Sequence, residues 1–235
     1  MSSTIRYNIS EIFTSIQGEG PALGKPVIFV RFSGCNLRCK WGENLCDTPY
    51  TSWEPEKNMM TSQMIIEQMK KTAPHLNHVV ITGGEPLIQK NITTLCSQLS
   101  TLGYRIDIET NGTGMFPPKA HSIVCSPKLS DSTPTGTRYE QMHAKERLAL
   151  HSDLFKQDSR LYLKFVISSN TKIAEITELV NKTKCPPERV YLMPEGITRE
   201  DIDAHANEVC EIAMQYSFCY SPRLHIQLWG NTRGV

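Results

Sequence analysis

Cys35, Cys39 and Cys46 are the residues of this sequence best placed to do chemistry. They fall in one short loop, Gly34 to Thr48, at the spacing Cys-x3-Cys-x6-Cys, with no histidine among them. Three thiolates without a fourth protein ligand suit a four-iron cluster in which one iron stays open to a small molecule. Structural zinc wants a fourth ligand. The nearest downstream histidines, His75 and His78, lie beyond an expected helix. Zinc or a set of redox thiols is the alternative. The other five cysteines, Cys96, Cys125, Cys185, Cys210 and Cys219, are spread singly through apolar segments, where a free cysteine acts as a small buried hydrophobe.

Other polar residues could assist such a loop. Arg31 shares a strand face with Phe29 just ahead of Cys35, and its planar fork could grip a carboxylate or form an ordinary surface salt bridge. Gln17 and Glu19 lie two apart in a glycine-bounded turn, where backbone approaches a ligand closely. A carboxylate accepts from N–H groups and an amide both donates and accepts; solvated side chains on a tight turn are the plain alternative. Gly83 and Gly84 leave room before Glu85, whose charge could attract an amine, or the segment is a turn with Pro86 stiffening its exit.

Elements must bring these residues together. Apolar and β-branched runs predict strands over 27–33, 78–82, 105–109, 122–126, 161–167, 190–193 and 224–228. Helical patterns follow Thr61 and cover 91–102 and 173–180, and Thr198 with Asp201 resembles a capping box ahead of another helix. Strands alternating with helices imply an α/β fold with a mainly parallel sheet, partly closed into a β/α barrel. Functional groups then belong at the carboxyl ends of the strands, where Cys35, Gly83 to Pro86, Glu109 to Asn111 and Ser126 to Lys128 fall. Residues 127–160 read as a mobile crossing or a weak helix over 139–150. A single domain over residues 1–235 is expected.

Composition narrows the partners. A formal charge of +1 gives no general attraction to nucleic acid or a membrane surface. The first residues lack the charged start and apolar run of a signal peptide, and no stretch is long and apolar enough to span a bilayer. A cytoplasmic setting, with thiols reduced, is the expectation.

Cys35-Asn-Leu-Arg-Cys39, then Trp41 and Cys46, with Gly83-Gly84-Glu85-Pro86 downstream, resembles the radical S-adenosylmethionine superfamily. The usual spacing there is Cys-x3-Cys-x2-Cys, so this chain departs from it as though Gly42 to Leu45 were inserted. The resemblance implies a barrel of the radical S-adenosylmethionine type, a 4Fe-4S cluster on Cys35, Cys39 and Cys46, and cofactor contacts from Gly83, Gly84 and Glu85.

A narrower resemblance spans nearly the whole chain. Glu11 to Gly20, Phe29 to Cys35, Cys46-Asp-Thr48, Val80 to Pro86, Glu109-Thr-Asn-Gly112, Ser126-Pro-Lys128 and Leu224 to Gly234 are similar to the 7-carboxy-7-deazaguanine synthase family. That implies radical ring contraction of 6-carboxy-5,6,7,8-tetrahydropterin with loss of ammonia, a lyase activity. Substrate contacts would come from Gln17, Glu19, Arg31 and His225, the last of which could equally be a satisfied core histidine, and the matching C-terminus would bring Val235 to the pocket. S-adenosylmethionine would meet Ser126 and Lys128, with Glu109 and Asn111 as further polar contacts. Mg2+ would sit at Thr48, with substrate oxygens and waters completing its shell, although Asp47 and Thr48 also suit a simple Asx-type turn. A flavodoxin-like electron donor and a homodimer are also implied. The competing functions are a glycyl-radical-activating enzyme and a non-catalytic zinc-binding interaction module.

Overall fold

The computed structural model describes residues 5–235. Most of the N-terminal stretch read above for a leader lies outside them. Eleven strands run in chain order as β1 (Arg6–Ile16), β2 (Pro26–Phe32), β3 (Lys40–Trp41), β4 (Asn44–Leu45), β5 (Met59–Thr61), β6 (His78–Gly83), β7 (Arg105–Thr110), β8 (Ser122–Cys125), β9 (Leu161–Ile167), β10 (Val190–Pro194) and β11 (Cys219–Tyr220). The helices are α1 (Pro49–Ser52), α2 (Ser62–Thr72), α3 (Ile92–Thr101), α4 (Glu140–Glu146), α5 (Ile173–Thr183), α6 (Arg199–Tyr216) and α7 (Leu224–Trp229).

Nine strands form one sheet in the order β11-β10-β9-β8-β7-β6-β2-β1-β5. From β2 to β11 every pairing is parallel, whereas β1 runs antiparallel to β2 and β5. The expected parallel α/β sheet is present, with an antiparallel edge added. Residues of β1, β2, β6, β7, β8, β9 and β10 all line one cavity, which requires the sheet to curve around it, as a partly closed barrel does.

Alternation sends the two strand faces to different places. Ile28, Val30 and Phe32 of β2, with Val79 and Ile81 of β6, turn outward into the main core, where Ile65, Leu95 and Leu99 of the helices meet them. Val27, Phe29 and Val80 turn inward and, with Phe13, form a small apolar cluster. Full burial of each such side chain is worth about 1.5–3 kcal/mol. Polar residues on this inner face, Arg31, Thr82, Glu109 and Lys164 among them, line the cavity instead.

Local signals explain the helices. The Thr61 hydroxyl accepts from the Met64 amide at 3.2 Å and caps α2. Thr198 and Asp201 close a capping box on α6. Only Glu140–Glu146 of the uncertain 127–160 stretch is an α-helix.

One expectation needs correction, and one strand carries no clear signal in the sequence. The 224–228 segment is helix α7, not a strand. Leu224, Ile226 and Leu228 alternate as in a strand, but only Ile226 is buried and Leu228 is exposed, so the alternation marks no sheet face. In strand β1 a bulge between Ile9 and Glu11 breaks the period-2 pattern. Tyr7 and Ile9 join the outer core, then Glu11, Phe13 and Ser15 turn into the cavity.

Candidate active site

The inserted residues fold into a hairpin. Lys40 pairs with Leu45 and Trp41 with Asn44, leaving Gly42 and Glu43 as a two-residue turn. Gly42 takes φ 55°, the left-handed backbone that a primed hairpin turn asks of glycine. The consequence lies at the hairpin's base, where the Cys46 amide donates to the Cys39 carbonyl at 3.1 Å. The long spacing is thereby cancelled, and Cys46 returns beside Cys39. The Trp53 indole donates to the same carbonyl at 3.2 Å.

Cys35, Cys39 and Cys46 are free thiols that line one cavity of about 540 Å³, a volume within the usual range for small-molecule sites. Burial pushes the Cys35 thiol up to about 12 and holds Cys39 well above the ordinary range. Burial, then the Asp47 charge, raises Cys46. Thiols kept neutral in this way ionise when a metal cation takes the proton's place. Among the described residues no three of His, Cys, Asp and Glu are placed to share a single ion. Thiolates that each bind a different iron do not have to converge on a point.

The loops around the thiols are cross-braced. Asn111 donates to Asn36, between Cys35 and Cys39, at 3.0 Å, and accepts from the Thr113 amide and hydroxyl. The buried His143 accepts from the Arg38 amide at 3.2 Å through Nδ1, and its Nε2 lies 3.2 Å from the Ser132 hydroxyl. Lys128 donates to Ser126 at 2.7 Å and sits 5.9 Å from the Trp41 ring. The indole nitrogen of Trp41, a residue of the cavity wall, is buried without a partner among the described residues. An orphaned donor in such a position asks for an acceptor from a bound molecule.

Glu85 does not face the cavity. Its carboxylate is fully buried and accepts from the Asn111 amide at 2.6 Å, the Leu87 amide at 2.9 Å and the Thr110 hydroxyl at 2.7 Å. Burial raises its pKa against the pull of those donors. It braces the 109–112 loop, while the backbone of Gly83 and Gly84 forms the cavity wall. Nor do these glycines simply make room for a ligand: a Cβ at Gly83 would meet the Phe32 carbonyl at 2.1 Å, and one at Gly84 the Gly34 carbonyl at 2.2 Å. They let the turn pack on the Cys35 loop.

Across the cavity lies an array of charged and polar groups. Arg31 gives its Nε to Glu11 at 2.7 Å, and its terminal nitrogens donate to no protein acceptor among the described residues. Glu11 also accepts from Tyr50 at 3.0 Å and from Arg233 at 3.0 Å. Gln17 donates to Glu109 at 3.0 Å and accepts from the Glu19 amide at 3.1 Å; Glu109 accepts from Thr82 at 2.7 Å. Glu19 is held by two cations, Lys164 on one oxygen and Arg223 on the other. Burial pushes its carboxyl up, and the two cations outweigh this and hold it well below the usual range. His225, on α7, lies 4.0 Å from Glu19. Burial lowers its pKa although Glu19 pulls the other way.

Comparison with known proteins now decides the family. The chain is 39% identical over 237 residues to the 7-carboxy-7-deazaguanine synthase of Halobacterium salinarum, covering 95% of this chain and 90% of the relative. It is 40% identical over 232 residues to that of Rhodopirellula baltica, covering 97% and 88%. The chain belongs to the 7-carboxy-7-deazaguanine synthase family. The radical SAM superfamily model matches residues 29–121. The crystal structure of QueE from Escherichia coli shares the fold, with a TM-score of 0.66 at 24% identity over 94% of this chain and 95% of that one.

In this family member the cavity gathers Gln17, Glu19, Arg31, the three cysteines, Thr48, Glu109, Asn111, Ser126, Lys128, His225 and Val235. The sequence assigns no role to four further residues of the cavity. Lys164 gave a signal, a lone charge in the apolar strand Leu161–Ile167. Glu11 was hidden by the bulge of β1. Arg223 and Arg233 gave no local signal, because Arg223 reaches Glu19 and Asp47, and Arg233 reaches Glu11 and Glu56, only through the fold.

Proposed function

We propose that this protein is a 7-carboxy-7-deazaguanine synthase, which contracts the ring of 6-carboxy-5,6,7,8-tetrahydropterin with loss of ammonia, a lyase reaction. The observation that carries the reading is the sharing of one cavity by three free thiols and by an acceptor and donor set suited to a flat carboxylated ring.

The donor set fits the cofactors. Cys35, Cys39 and Cys46 would hold a 4Fe-4S cluster. The walls of Gly83 and Gly84, the orphaned Trp41 nitrogen, Ser126 and Lys128 would receive S-adenosylmethionine. When bound, the cluster and S-adenosylmethionine would supply a radical able to remove a hydrogen atom from an unactivated carbon. Thr48, whose hydroxyl lies 3.6 Å from the Cys46 sulfur, would offer one oxygen to Mg2+, an ion that commonly keeps waters and borrows ligands from substrate.

The chain's own work is to bind and orient. The free end of the Arg31 guanidinium takes the substrate carboxylate as a fork. Glu19, kept ionised by its two cations, accepts from the N–H edge of the ring. Gln17 and Glu109 extend this polar edge, and His225 adds a neutral imidazole. Glu85 acts from behind by fixing the 109–112 loop, and Asn111, in the cavity wall, braces the Cys35–Cys39 loop. Arg233 donates to Glu11 and Glu56 and stacks on Tyr50 at 3.9 Å, which holds residues 231–235 over the mouth and brings Val235 to the substrate. A flavodoxin-like donor reducing the cluster, a homodimeric assembly and a cytoplasmic setting complete the reading. No described helix is long and apolar enough to cross a membrane.

The test is conversion. Anaerobically reconstituted protein, given reductant, S-adenosylmethionine, Mg2+ and the carboxytetrahydropterin, forms 7-carboxy-7-deazaguanine. No product from protein with an intact cluster overturns the reading.

A further inference from the structure

Arg223 ties together three segments that the cavity needs in register. Its buried guanidinium donates through Nε to Glu19 at 3.1 Å, through Nη2 to Asp47 and through Nη1 to the Gly196 carbonyl. The first acceptor sits on the turn after β1, the second at the downstream end of the cysteine loop, and the third on the loop after β10. A planar fork holds its donors in fixed, spread directions, whereas an ammonium is a compact point charge whose donors rotate.

The backbone repeats the link. The Leu224 amide donates to the Gly18 carbonyl at 3.0 Å, and a Cβ at Gly18 would strike the His225 ring at 2.2 Å. The 17–20 turn and the Arg223 segment therefore fit without slack. Two carboxylates, those of Glu19 and Asp47, share one buried guanidinium. Removing Asp47 leaves the guanidinium held by Glu19 and the Gly196 carbonyl alone.

We propose that Arg223 is a positioning residue that couples Asp47, on the cysteine-loop side of the cavity, to Glu19, on the ring-recognition side. The two walls then move as one body, and substrate reports on the cysteine loop through this single side chain. The inference rests on Glu19 as a ring contact for its effect on substrate, but the coupling itself does not require substrate.

Two measurements on the full-length, cluster-loaded protein test it. One is amide hydrogen exchange at residues 17–20 without substrate. The other is the Kd for the carboxytetrahydropterin without reductant. Wild type is compared with Asp47→Asn, Arg223→Gln, Arg223→Lys and the Asp47→Asn/Arg223→Gln double variant. Asp47→Asn is expected to speed exchange at the Glu19 and Gly20 amides and to weaken substrate binding about tenfold, within the usual range of coupling between sites. In the Arg223→Gln background the same change adds nothing. Arg223→Lys keeps the charge, and so the fold, but loses the bridge and behaves as Arg223→Gln does. Additive effects, or unchanged exchange at 17–20 in Asp47→Asn, overturn the coupling. Wild type that fails to bind the pterin counts against the proposed substrate alone, since the exchange data still decide the coupling.

Discussion

The Cys46 amide donates to the Cys39 carbonyl at 3.1 Å across the base of a two-residue hairpin. Residues 42–45 therefore add length without moving the two thiols apart. Deleting them is expected to leave iron and sulfide content within about twofold of wild type, because a surface excursion closed at its base costs little to lose. Reduction by a flavodoxin-like donor should slow, as Glu43 and the exposed Leu45 leave the surface. Iron analysis and stopped-flow reduction check the two halves.

Arg31 presents a fork, and its charge alone will not replace it. Arg31→Lys should raise KM for the carboxytetrahydropterin about 10- to 100-fold, the loss of one charge-assisted bidentate contact, with kcat changed much less. Steady-state kinetics give the split. An equal fall in kcat and kcat/KM would place the Arg31 contact in the transition state alone.

Lys164 neutralises half of a buried carboxylate. Lys164→Met leaves Glu19 with Arg223 only, and the loss of one partner from a buried ion pair costs about 3–5 kcal/mol. The expected result is a lower urea midpoint together with weakened substrate binding. Double replacement, Lys164→Met with Glu19→Gln, should recover part of the stability and none of the binding.

His143 makes the fold acid-sensitive. Burial, and then the charges of Arg147 and Lys128, push its pKa from the usual 6.5 down to about 4. The unfolded chain therefore takes up a proton near pH 6.5 that the folded chain refuses until about pH 4. The stability contribution is complete above pH 6.5 and is lost as pH falls through this window, with a slope of about 1.4 kcal/mol per pH unit. Urea midpoints of wild type and His143→Gln, compared from pH 7 to pH 4.5, should converge toward acid by that difference.

Legibility in the sequence followed the range of the interactions. The strand over 161–167 and the caps at Thr61 and Thr198 were readable because their causes lie within a few residues. The cysteine loop was readable because thiols at short spacing have few other uses. Strand β1 was not, since one bulge breaks its period, and α7 was mistaken for a strand because three alternating apolar residues mimic one. Glu85 was assigned to the cofactor amine on its motif, yet three donors from β7, its following loop and Leu87 turn it inward. Arg223 lies 204 residues from Glu19 and 176 from Asp47. No pattern in the chain announces a contact whose partners are supplied by folding.

Cys35, Cys39 and Cys46 are proposed to hold the cluster that drives ring contraction in this cavity. Anaerobic reconstitution of wild type and Cys46→Ala, with iron content and conversion of the carboxytetrahydropterin measured on the same samples, tests it most directly. A four-iron complement and product are expected in wild type, and loss of both in the variant. Retention of iron and turnover by Cys46→Ala would contradict it.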